Sequence, residues 1–132
     1  MTIEVIRDQS QAMRHIVHVR QHLISTDAAV DEGGADAGPS PHDLYDAALG
    51  ACKALTLVWY AKRKGIALED VQVNITRDAA AERQGTYRLT AALHLSGDLN
   101  DAQRQELLSV AEKCPVHKLM TTVTTEITTV LV

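Results

Sequence analysis

The chain has 132 residues, enough for one domain and hard to divide into two that fold independently. Hydrophobic residues make up 45% and charged residues 23%, a globular composition that excludes disorder, collagen-like repeats and a disulfide-dense miniprotein. Thirteen Lys and Arg against seventeen Asp and Glu leave a net charge of −4, so generic binding to nucleic acid or to an anionic membrane has no electrostatic support.

Met1 to Ser10 mixes Glu4, Arg7 and Asp8 into a short strand pattern, unlike a signal peptide, and no apolar run reaches the roughly 20 residues of a membrane span. A cytoplasmic protein is expected. Thr2 to Ile6 alternates as a strand, Met13 to Val19 alternates again after a polar turn, and His22 to Thr26 forms a third strand. The Gly-, Pro- and Asp-rich stretch from Asp31 to Pro41 is the one loop-like segment, and a helix starts where it ends. Ser40 suits the N-cap, Pro41 the first helical position and Asp43 the third position after the cap. Lys62, Arg63 and Lys64 suit the last turn, and Gly65 the left-handed residue beyond it. The helix is predicted over about 24 residues, roughly 36 Å.

From Leu44 to Ala61 this helix is apolar almost all round, which predicts burial on most faces. Phe is absent and aromatics are 3%, so Ala, Val, Leu and Ile must build the core. Ala47, Gly50, Ala51 and Ala54 form a small-residue stripe at helical spacing. Either a sheet lies on it or the same helix of a second subunit does. Two strands follow, Val71 to Arg77 and Thr86 to Ser96, joined by a polar turn. Asn100 and Gln103 form a capping-box start for a second helix ending near Lys113, since Cys114 precedes Pro115. A helical turn, Pro115 to Met120, and a Thr/Val-rich strand, Val123 to Leu131, complete the predicted elements.

Chemistry rests on few residues. Cys52 lies mid-helix with Ala48, Leu49, Leu55 and Trp59 on its face, and an isolated Cys there reads first as an inert core thiol. Cys114 immediately precedes the helical turn at Pro115, where backbone N–H groups and a positive dipole end favour thiolate. Without an export signal a permanent disulfide is not expected, and a reversible Cys52/Cys114 pair stays open. His18 and His22 share a strand face with Arg20, but two His without a third converging ligand read as a solvated polar face, so no metal is expected. His42 and His117 neighbour the two cysteine segments. No phosphate loop, nucleophile elbow or zinc-spaced Cys cluster occurs, and no cofactor is implied.

Gly33-Gly34, Gly38-Pro39-Ser40-Pro41-His42-Asp43-Leu44, Ala48-Leu49-Gly50-Ala51-Cys52, Tyr60-Ala61-Lys62-Arg63-Lys64-Gly65 and Cys114-Pro115-Val116 together resemble the OsmC/Ohr superfamily, above all its short OsmC-like redox proteins. The resemblance covers nearly the whole chain and implies one OsmC-like domain over residues 1–132. It implies an α+β fold with a long central helix packed against antiparallel sheets in an intertwined homodimer. It also implies a thiol-dependent peroxidase, in which Cys52 matches the cysteine that attacks hydroperoxide and Cys114 the resolving cysteine, with an external dithiol as reductant. The alternative is a noncatalytic small-ligand-binding or redox-sensing dimer of the same fold.

The family activates its attacking thiol with an Arg from an amino-terminal hairpin, held by a Glu ten residues before the nucleophile. Arg14 is the first candidate for that Arg and Arg7 the second, while the Glu position is occupied by His42. An imidazole cannot supply a bidentate carboxylate fork, which leaves Asp43, Asp46 or a different mode of activation. Asp43 falls on the opposite side of the helix from Cys52, nine steps of about 100° away. Ten residues rise about 15 Å, so a His42 to Cys52 contact requires a second subunit.

Overall fold

The computed structural model describes residues 1–132, which divide into two compact units, Met1–Tyr45 and Asp46–Val132. In the first, β1 (Ile3–Arg7), β2 (His15–Val19) and β3 (His22–Thr26) form an antiparallel sheet in that order, with Val17 paired to Val5 on one side and to Ile24 on the other. Val19 pairs with His22, so Arg20 and Gln21 alone make the β2–β3 turn, and Arg20 takes a left-handed φ of 53° to close it. Asp27 organises the following loop. Its buried carboxylate accepts the N–H groups of Ala28 at 2.8 Å, Ala37 at 3.0 Å and Ala35 at 3.1 Å.

Helix α1 (Pro41–Lys64) begins at the expected cap. The Asp43 N–H donates to Ser40 Oγ at 3.1 Å, and the Ser40 N–H donates to Asp43 Oδ2 at 2.9 Å, a reciprocal arrangement that satisfies two helix-end donors. It ends with Gly65 at φ 67°, which lets the Ile66 N–H return to the Ala61 carbonyl at 2.9 Å.

In the second unit β4 (Leu68–Asp78) and β5 (Arg88–Gly97) pair antiparallel, β4 longer than the strand expected and β5 starting later than expected, with a register irregularity between Leu68 and Asp70. Alternate residues of β5 point inward. Helix α2 (Asp101–Ala111) carries the expected capping box, Asn100 with Gln103. Helix α3 (Pro115–Thr121) follows with Cys114 at its N-cap. The core centres on Leu57 of α1 with Leu107 and Ala111 of α2, closed by Tyr60, Val71, Leu93 and Leu95.

Two expectations fail for the single chain. Only one face of α1 is buried, through Asp46, Leu49, Gly50, Lys53, Leu57 and Ala61, while Leu55 is 71% and Trp59 59% exposed. The sheet takes only part of the small-residue stripe. A Cβ on Gly50 would lie 3.1 Å from Ile75 of β4, whereas Ala47 and Ala51 are exposed. Val123 to Leu131 forms no strand, because neither sheet offers it a partner, and its Ile127 and Val130 stand in solvent.

Candidate functional site

The second unit brings the two cysteines together. Cys52 is on α1, partly exposed, and Cys114 is fully buried; both are free thiols. Pro115 and the N-cap geometry of Cys114 turn the first amides of α3 towards α1, and the Val116 N–H donates to the Cys52 sulfur at 3.4 Å. Cys114 interacts with Cys52 and with the start of its own helix. Burial pushes the Cys114 thiol up, and the nearby Cys52 thiol adds to that. The His117 amide and the Lys53 ammonium pull the other way without prevailing. This reverses the expectation that the helix start makes Cys114 a thiolate: taking the sulfur out of water costs more than the dipole of a seven-residue helix returns.

Lys53, which sequence reasoning does not single out, completes the surroundings. Its side chain is buried, and its Nζ donates to the Ala111 carbonyl at 2.7 Å and lies 2.9 Å from His117 Nδ1. A signal for it exists: a Lys inside an otherwise apolar helical run, beside a Cys, must either reach solvent or find partners. His117, a sequence neighbour of Cys114, is one of those partners. Asp46, also on the buried face of α1, binds Arg77 Nε at 2.6 Å and the Tyr87 hydroxyl at 2.7 Å, and so ties α1 to β4 and to the start of β5. It is engaged by those two groups.

Arg14 and His42 belong to the first unit. Arg14 donates from Nη1 to Asp8 at 3.1 Å and from Nη2 to Ser25 Oγ at 2.8 Å, while its buried Nε has no partner. Asp8 is held below the usual carboxylate range, first by its hydrogen bonds from Ser10 and less by Arg14. A carboxylate fixing Arg14 is therefore present, supplied by the turn after β1. Arg7 reaches only the Ala12 carbonyl, at 3.4 Å. His42 is exposed on the first turn of α1. No group of three or more His, Cys, Asp or Glu side chains converges to hold a metal ion, and no helix is long and apolar enough to cross a membrane.

An α+β chain with a capped long helix, antiparallel sheets and two facing thiols defines a class of cysteine-bearing α+β proteins, and comparison gives the family. The OsmC-like protein family model matches residues 33–129, and the chain belongs to that family. Among solved structures, the chain is similar to a Psychrobacter arcticus protein assigned to osmotic stress induction and the detoxification response. They share 26% identity over 90% of this chain and 87% of that one, with a TM-score of 0.73. An OsmC-like protein from Mycoplasma pneumoniae is 19% identical over 92% of this chain and 87% of its own, at TM-score 0.74. An organic hydroperoxide resistance protein from Legionella pneumophila is 22% identical over 92% and 90%, at TM-score 0.66. No curated protein matches the sequence.

Proposed function

We propose that this chain is a thiol-dependent hydroperoxide reductase in which Cys52 attacks and Cys114 resolves. The observation that carries the reading is the pairing of a partly exposed thiol with a fully buried one at the junction of α1 and α3. The exposed sulfur can meet a substrate, and the buried one can meet only its neighbour. The Cys52 thiolate attacks one peroxide oxygen and the O–O bond breaks. The alkoxide takes a proton and leaves as alcohol, and Cys52 becomes a sulfenic acid. Cys114 then forms the S–S bond while the sulfenic oxygen leaves as water, carrying the thiol proton. An external dithiol reduces the disulfide and returns both thiols.

Membership of the OsmC-like family, and likeness to a protein named for organic hydroperoxide resistance, support the same reading. In it the chain works as one functional domain in a cytoplasmic homodimer, and Arg14 and His42 are the groups to test for activation of Cys52 from a second copy. Titrating the reduced protein with tert-butyl hydroperoxide tests the proposal. One equivalent should remove both thiols, and excess dithiothreitol should sustain turnover. A single oxidation without turnover would favour a redox sensor, and thiols untouched by excess peroxide would leave a noncatalytic ligand-binding dimer.

A further inference from the structure

Lys53 carries a charge the peroxidase reading has not used. Its side chain is 4% exposed, and the two groups that its Nζ contacts, the Ala111 carbonyl and His117 Nδ1, are not anions. A buried ammonium held only by neutral acceptors is costly to keep unless an anion forms beside it during function. Ala111 and His117 stand three residues before and three after Cys114, and the Cys114 N–H also turns back to the Ala111 carbonyl at 3.4 Å. The ammonium is thus anchored on both flanks of the turn that carries the buried thiol. Two of its three N–H bonds are spent on those anchors.

We propose that Lys53 is the activating residue for Cys114, its remaining N–H stabilising the Cys114 thiolate as that sulfur closes on Cys52. The inference rests on the reading of Cys114 as the resolving thiol. It also accounts for an otherwise awkward feature, since burial works against ionisation of the one thiol that must attack from inside the protein. The fixed charge reduces that penalty where no solvent cation can reach. When Cys52 is a sulfenic acid, the Cys114 thiolate held by Lys53 displaces its oxygen, which leaves as water with the proton Cys114 gave up. The ammonium keeps its own protons throughout.

The test uses the full-length chain with Cys52→Ser, so that thiolate absorbance in the ultraviolet reports Cys114 alone as pH rises. Lys53→Gln keeps an N–H2 group for Ala111 and His117 and removes the charge; Lys53→Met removes both. The Cys114 titration midpoint should rise by about one pH unit or more in both variants, because both lose the charge, whether or not the hydrogen bonds remain. A midpoint that moves in Lys53→Met but is normal in Lys53→Gln would overturn the proposal in favour of a structural anchor, as would a midpoint unchanged in Lys53→Gln. In the chain with both cysteines, disulfide closure after a peroxide pulse should slow by about threefold for every tenfold loss of thiolate, because the less acidic sulfur is also the more nucleophilic one. The gap should close at high pH, where Cys114 ionises without help; a gap constant with pH would count against the proposal. The absorbance titration needs no peroxide. A parent chain that consumes none, with the midpoint raised as expected in the Lys53 variants, would sink the peroxidase reading alone.

Discussion

The Val116 N–H lies 3.4 Å from the Cys52 sulfur, joining residues 64 positions apart in the chain. This backbone donor is fixed beside the Cys52 sulfur because Pro115 starts α3 immediately after Cys114. One local feature therefore serves both sulfurs.

The different exposures of the two thiols give the first prediction. Cys52→Ser should abolish peroxide consumption, and Cys114→Ser should react once and then over-oxidise to sulfinic acid, since its sulfenic acid has no thiol to meet. Mass spectrometry of each variant after a peroxide pulse distinguishes these states. Sulfinic acid on Cys114 in the Cys52→Ser protein would exchange the two roles.

The second prediction concerns the support of α1. Asp46 accepts from Arg77 at 2.6 Å and from Tyr87 at 2.7 Å, with its side chain 10% exposed and that of Arg77 34%. Removing the carboxylate takes an anionic partner from a guanidinium that solvent partly reaches, so the cost falls below that of a fully buried pair. Asp46→Asn should destabilise by about 1–3 kcal/mol and Tyr87→Phe by about 0.5–1.5 kcal/mol in urea unfolding. The double variant should lose less than the sum, because both contacts end on one carboxylate. Strict additivity would mean that the two contacts act independently.

Much of this framework is legible in the sequence, because caps are local chemistry. Ser40 with Asp43, Gly65, and Asn100 with Gln103 place the ends of α1 and the start of α2 where the structure has them. Pairing of Cys52 with Cys114 comes from resemblance, since spacing carries no information about contacts between distant segments. What stays hidden depends on tertiary surroundings. The direction in which the Cys114 thiol moves turns on burial, and a Lys at position 53 signals only that partners are needed, not that Ala111 and His117 are the groups that hold it. The expected strand from Val123 to Leu131 shows the same limit from the other side: β-propensity is a fitness for a neighbouring strand, and the chain by itself provides none.

The third prediction follows from that unmatched strand and from the exposed face of α1. With Leu55 71%, Trp59 59%, Ile127 82% and Val130 73% exposed, the single chain leaves a large apolar surface in water. Sedimentation should show a homodimer whose dilution yields no folded monomer. A compact, stable monomer at micromolar concentration would remove the expected second copy, together with any activation of Cys52 across it.

Acid gives the fourth. Asp27 is held below the usual carboxylate range, chiefly by the Ala37 N–H and also by those of Ala28 and Ala35, against a smaller opposing effect of burial. A depressed folded-state pKa means that the unfolded chain binds the proton first. The stabilisation is therefore complete above the ordinary Asp value of 3.8 and is lost as pH falls through the lower folded value. Proton resonances of the Ala35 and Ala37 amides should shift together below that value. In Asp27→Asn these shifts should vanish while the Cys52 and Cys114 thiol count stays at two.

The last prediction separates Arg14 from His42. Arg14 is held by Asp8 and Ser25 in a fixed pose and keeps its charge at every physiological pH, whereas an imidazole helps a thiolate only while protonated. If Arg14 activates Cys52 from a second copy, Arg14→Met should slow peroxide consumption by about tenfold or more, and alkylation of Cys52 should shift to higher pH. Asp8→Asn should slow it less, since Ser25 still holds one end of the guanidinium. His42→Ala should then leave the pH profile unchanged. If His42 has taken over instead, His42→Ala should remove a bend near neutrality, where the imidazole loses its charge while the thiol gains its own, and His42→Glu should raise reactivity only if Arg14 is intact. Measuring Cys52 alkylation and peroxide consumption against pH across these variants decides between the two. Coincident curves for the parent, Arg14→Met, His42→Ala and His42→Glu would remove both residues from the mechanism and leave Arg7 as the remaining cation to test.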